Sequence, residues 1–118
     1  MIYQKLEKSV YVNGVLQVIA ASNSWRVMQP TRLVGMTATV GTLPTGAGST
    51  IVRAVKNNNP ADELFSVEFT DGGSILLTDS AEQTLAAGDT VQLIIPQVAG
   101  TTPGSDLLVQ FLYITLAP

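Results

Sequence analysis

RLVGMTATVGTLPTGAGSTIVRAV, residues 32 to 55, decides the fold class. In its first nine residues Val34, Met36, Ala38 and Val40 fall on one side. Arg32, Gly35, Thr37 and Thr39 lie mostly on the other, with Leu33 breaking the polar face. A two-residue apolar period is that of a strand half-buried on a sheet. The corner GTLPTGAGS (41 to 49) follows, and STIVRAV resumes with Ile51, Arg53 and Val55 on one face and Val52 and Ala54 on the other. A phosphate-binding loop would need a helix after the glycines and usually a lysine, whereas a β-rich run follows here. The corner is therefore read as a crossing between two sheets, its glycines supplying positive φ.

The same alternation extends in both directions. NNNPAD (57 to 62) turns the chain, and LFSVEFT (64 to 70) points Phe65, Val67 and Phe69 inward with Ser66 and Glu68 outward. Asp71-Gly72-Gly73 is hairpin chemistry before SILLT (74 to 78). SAEQTLAAGD (80 to 89) is the one helix-compatible stretch and is read as a turn or short helix. TVQLIIPQV (90 to 98) sets Val91, Leu93 and Ile95 on one face, with Pro96 marking an edge or a bulge. DLLVQFLYITL (106 to 116) is apolar on both faces, so it needs cover on both sides. Upstream, Asn13-Gly14 predicts a hairpin within 11 to 20, and NSWRVMQP (23 to 30) adds a strand around Trp25. About eight short strands with regular turn signals predict an all-β, antiparallel two-sheet sandwich, jelly-roll or immunoglobulin-like. The expected division is an N-terminal arm or hairpin over 1 to 22 and a sandwich over 23 to 118.

Composition narrows the chemistry. The 118 residues are 46% hydrophobic and only 13% charged, an apolar surplus that points to a partner surface. Cysteine and histidine are both absent, which removes disulfides, thiolate nucleophiles, histidine-ligated zinc and Ser-His-Asp chemistry. Asp71, Asp79, Glu82 and Asp89 lack the spacing of a calcium loop, and no carboxylate pair stands out for glycoside hydrolysis. The expectation is no enzyme, no metal and no cofactor. Residues 1 to 56 carry six bases and one acid, +5, and residues 57 to 118 carry eight acids and no base, −8. Such sorting either steers subunits together or is mixed in space by the fold. No basic cluster accompanies the aromatics, so nucleic acid is not an expected partner. No apolar run is long enough to span a bilayer, and Glu7 and Asn13-Gly14 spoil the likeness of the start to a signal peptide. The chain is read as complete and soluble. Trp25, Tyr3, Tyr11 and Tyr113 would suit a sugar-stacking platform, although Trp25 in an alternating strand suits the core better, as do Phe65, Phe69 and Phe111.

Three ordered motifs carry a resemblance: Gly41, Pro44, Thr45 and Gly46; Leu85, Ala86, Gly88 and Asp89; and Pro103, Gly104, Asp106, Leu107 and Val109. Over about residues 23 to 116 the chain resembles bacteriophage virion jelly-roll proteins, which include capsid decoration (cement) proteins and tail-fibre head modules. Where such proteins commonly show an Asn-Gly hairpin, this chain has Lys56-Asn57-Asn58-Asn59-Pro60. The resemblance implies a non-enzymatic structural protein on the virion exterior, made in the host cytoplasm. Its implied partner is the major capsid protein and its implied assembly a homotrimer. The alternative is a fibre module that recognises host carbohydrate with loops 41 to 49, 56 to 63 and 99 to 105 gathered at one end. Tyr3, Leu6, Tyr11, Val12 and Leu16 are the expected capsid contacts. Leu108, Leu112 and Ile114 are the expected subunit contacts, and Pro44, Thr45, Asn57, Asn58 and Asn59 the loop contacts.

Overall fold

In the computed structural model, which describes residues 5–19 and 24–116, every regular element is a strand. Nine lie among the described residues: β1 (Lys5–Val15), β2 (Ser24–Arg26), β3 (Thr31–Thr42), β4 (Ser49–Lys56), β5 (Glu63–Thr70), β6 (Leu76–Asp79), β7 (Gln83–Leu85), β8 (Thr90–Gln97) and β9 (Ser105–Thr115). One sheet has the order β1-β9-β3-β6 with β7 also on β3, and the other has the order β2-β8-β4-β5.

The pairing is a mirror about residues 57 to 62. β4 pairs β5, β3 pairs β6 and β7, β2 pairs β8, and β1 pairs β9, all antiparallel. The chain is thus one long hairpin rolled so that successive rungs fall in alternate sheets, and the β3·β9 and β4·β8 ladders close the roll. With β6 and β7 as one interrupted strand, this is the eight-stranded jelly roll. The mirror also explains the charge sorting, because each strand of the basic half lies against one of the acidic half. Arg53 Nε sits 2.9 Å from Glu63 Oε1, and Lys56 Nζ 3.8 Å from Asp62 Oδ2. The opposed charges are mixed within the fold.

Inward residues follow the period of two. Leu107, Val109 and Phe111 of β9, Met36, Ala38 and Val40 of β3, and Phe65, Val67 and Phe69 of β5 are all buried in one core between the sheets. Leu33, which broke the alternation in sequence, is buried as well, because a bulge between Leu33 and Gly35 resets the phase of β3. On β8 the register slips by one residue around Pro96, opposite Ile51 and Arg53, so the proline occupies a bulge in an inner strand.

Two local expectations are corrected. Asn13-Gly14 does not turn a hairpin: residues 5 to 15 form one edge strand on β9, and the pair sits at an irregularity between Val12 and Val15. There Gly14, at φ 83°, donates its N–H to Asp106 Oδ1 at 2.9 Å. The stretch 80 to 89 has no helix among its residues. Gln83–Leu85 is drawn onto β3, with Leu85 opposite Thr31 and wholly buried, and only 86 to 89 turn. Two turns of helix cannot stabilise themselves in water, so strand pairing and one buried leucine decide the outcome.

Candidate interaction surface

Residues that are directly opposite in a ladder share a face, so the register assigns every side chain of the β1-β9-β3-β6 sheet to the core or the exterior. Tyr11, Leu108, Thr39 and Leu76 form one outward row across four strands, about 14 Å wide at the usual strand spacing. Tyr11 is 58% exposed, Leu76 53% and Leu112 37%, with Leu108 and Ile114 half-buried. Ser9, Gln110, Thr37 and Thr78 form a polar row beside it, in which the Gln110 amide donates to the Glu7 carboxylate. The result is a face with apolar side chains at its head and polar ones behind.

Two sets of expected contacts are redistributed by this register. Tyr11 and Leu108 are cross-strand partners, so the capsid-contact and subunit-contact sets meet on one surface with Leu112 and Ile114. Leu6 and Val12 point the other way, opposite Tyr113 and Leu107, and Val12 packs on the core. Leu16 is 1% exposed within the core and is unavailable to any partner. Its apolar neighbours in sequence suggested an arm, but its amide bonds Gly104 O at 3.0 Å and ties it into the sandwich. Tyr3 lies outside the described residues. Sequence reading missed Leu76: without the register, nothing in SILLT distinguishes the outward leucine from the half-buried Leu77.

The loops do not gather as expected. Thr45 and Thr102 exchange backbone hydrogen bonds of 2.9 and 3.2 Å, and Gly46 N–H donates to Asp71 Oδ2, so corners 41 to 49 and 99 to 105 meet at one end. Loop 56 to 63 is at the far end of β4, against the β7–β8 turn. Pro44 is buried at the first end, while Thr45 is exposed there.

The asparagines at the far end are structural. Asn57 and Asn58 take φ of 54° and 56°, a left-handed conformation that asparagine tolerates better than most residues. Asn57 Nδ2 donates to Asp89 Oδ1 at 3.1 Å and its Oδ1 accepts from Thr90 N at 2.9 Å. Asn58 N–H donates to Gln92 Oε1, and Asn59 Oδ1 accepts from Ala61 N. The Asn57 hydrogen bond, then the Ala86 amide 2.8 Å from Oδ2 and the nearby Lys56 charge, hold the Asp89 carboxyl below its ordinary value, against a smaller upward push from burial.

Four acids are occupied by the backbone in this way. Asp71 accepts from Gly46, Asp79 from Ser66 and Ala81, Asp89 from Ala86, and Asp106 from Gly14. They serve as turn and edge caps, and among the described residues no group of three or more metal-ligating side chains converges.

The aromatic residues separate into two environments. Trp25 stacks tilted on Tyr113 with centroids 4.8 Å apart and reaches Phe111 at 6.2 Å, while Phe111 meets Phe65 at 6.2 Å inside the core. Trp25 borders a groove of about 250 Å³ under β1, lined also by Lys8 to Tyr11, Val91, Leu93 and Phe111. A second groove on its other side is lined by Arg26, Gln29, Tyr113 and Thr115 among others.

No protein-family model matches the chain, and no curated protein matches it. Among solved structures it is similar to a chain of the Bacillus endospore appendages, described as forming "a novel family of disulfide-linked pili". The two are 14% identical over 99% of this chain and 93% of that chain, with a TM-score of 0.49.

Proposed function

We propose that this chain is a non-enzymatic structural protein of a phage virion, a decoration protein that lays the outer face of its β1-β9-β3-β6 sheet on the capsid shell. The observation that carries this reading is the outward row of Tyr11, Leu108 and Leu76 on one sheet face, in which Tyr11 and Leu76 are more than half exposed and Leu108 half-buried, with Leu112 behind it. Large apolar side chains grouped on one face lose contact with water only when another surface covers them. A standard interface buries about 800 Å² on each partner, and at roughly 25 cal/mol per Å² of apolar area the gross gain exceeds the orientational cost of docking. Many equivalent sites on a shell multiply the effect. The engaged acids, each capping backbone amides, agree with a scaffold role.

The test is co-sedimentation of the purified protein with empty shells of the major capsid protein from the same genome. Binding that saturates, and that is lost in a Tyr11→Ser, Leu76→Ser, Leu108→Ser variant whose melting temperature matches the parent, is the expected result. A protein that stays in the supernatant at all shell concentrations refutes the reading. The Trp25 and Tyr113 pair, with Arg26 and Gln29 beside it, favours a second reading: a module that stacks a sugar ring of a host-surface glycan. Saturable binding on a glycan array, abolished by Trp25→Ala, would select it.

A further inference from the structure

The sides of the sandwich are finished differently. On the β5 side the edge is sealed: Ser66 N–H donates to Asp79 Oδ2 at 3.0 Å, and Leu64 O accepts from Gln83 Nε2 at 3.0 Å. The strands at the other ends of the sheets are short, with β2 three residues long and β6 and β7 four and three. β1 differs, with eleven residues, β9 on one side and, among the described residues, no strand or capping side chain on the other. A long uncapped edge offers a row of backbone donors and acceptors to another strand. The groove under Lys8 to Tyr11 opens beside it.

We infer that β1 pairs antiparallel with β1 of a second copy about a two-fold axis at Ser9, joining two β1-β9-β3-β6 sheets into one. The charges choose the register. A centre at Glu7 or Lys8 sets like charges directly opposite, which is destabilising, and a centre at Val10 runs the ladder into the irregularity after Val12. A centre at Ser9 pairs Leu6 with Val12 and Lys8 with Val10 on the inner face, and Glu7 with Tyr11 on the outer face. No like charges meet within residues 6 to 12. Lys8 points inward at the edge, a placement that discourages indiscriminate strand addition, and it rules out the register centred on itself. The grooves of the two copies come together at the axis and leave room for the two lysine stems. An isologous contact of this kind closes at two subunits. It differs from the three-fold assembly implied by the resemblance.

Sedimentation velocity over a concentration series tests the pairing. The parent protein is expected to sediment as a dimer at high concentration. Ser9→Glu and Ser9→Lys, which set like charges opposite at the axis, each weaken association by roughly tenfold or more. An equimolar mixture of the two restores the dimer, because opposite charges now face each other. Ser9 is exposed on the outer face, and unchanged circular dichroism confirms that each variant folds. As a second measurement, amides of residues 6 to 12 in the parent exchange more slowly as protein concentration rises. The inference is overturned by a parent that is monomeric or trimeric throughout, by Ser9→Glu associating as tightly as the parent, by a mixture that stays monomeric, or by exchange in β1 that ignores concentration.

Discussion

Replacing Thr50 by valine reverses the usual sign of a core substitution. Thr50 is wholly buried at the start of β4, and its hydroxyl donates to Pro103 O at 2.7 Å while accepting from Ala99 N at 3.0 Å. One oxygen thus satisfies two backbone groups of the β8–β9 connection, the segment that meets the Pro44 corner. Valine has nearly the same shape, and at an unpaired position it would stabilise. Here it leaves an amide and a carbonyl without partners, each costing about 1–3 kcal/mol. The added methyl returns about 0.8 kcal/mol. The net loss is about 1–5 kcal/mol, a fall in melting temperature of roughly 4–20 °C for a domain of this size. Thr50→Ser keeps the hydroxyl, loses one buried methyl and should cost only about 1 kcal/mol. Thermal and urea unfolding followed by circular dichroism, with unchanged m-values, would read both. A valine variant as stable as the parent, or a serine variant weaker than the valine one, refutes the assignment.

The corner 41 to 49 separates two glycine requirements. Gly46→Ala brings a Cβ within 2.6 Å of Thr101 Cβ at φ 89°, whereas Gly48→Ala, at φ 83°, meets nothing within 4 Å. The second should therefore cost only the left-handed backbone penalty of about 1–2 kcal/mol, and the first clearly more, by urea unfolding. Asp89 makes stability depend on acid. Because its folded pKa is depressed, its contribution is complete above the unfolded value of about 3.9 and disappears as pH falls through the lower folded value. The melting temperature of the parent should accordingly exceed that of Asp89→Asn at neutral pH and converge towards it in acid, whereas a constant gap would exclude the carboxylate as the source.

The alternations in LFSVEFT and DLLVQFLYITL were legible because residues 65 to 69 and 107 to 111 run in unbroken register through one core, and Phe65, Val67, Phe69, Leu107, Val109 and Phe111 are buried as the period requires. Features created by contact between distant segments were less legible. Leu33 contradicts its own strand until the bulge beside Gly35 is known. Asn13-Gly14 has local turn chemistry, but its glycine amide is held by an aspartate 92 residues away in sequence. Leu85 looked helical because the strand that buries it lies fifty residues earlier, roughly the length over which local propensity carries no information. The candidate surface suffered in the same way: apolar character identified Leu16 and Tyr11 alike, and only the register separates a core leucine from an exposed tyrosine.

The position of β9 has a consequence for biogenesis. It is the final strand in chain order, yet it occupies the interior of its sheet between β1 and β3. As ribosomal synthesis proceeds, β1 cannot acquire its ladder until about a hundred further residues have been made, and the edge of β3 that faces β9 waits for about seventy, although its other edge can pair β6 and β7 sooner. The nascent polypeptide must therefore remain open, with its greasy inner side chains unprotected, until a late closure completes one of the two layers in a single step.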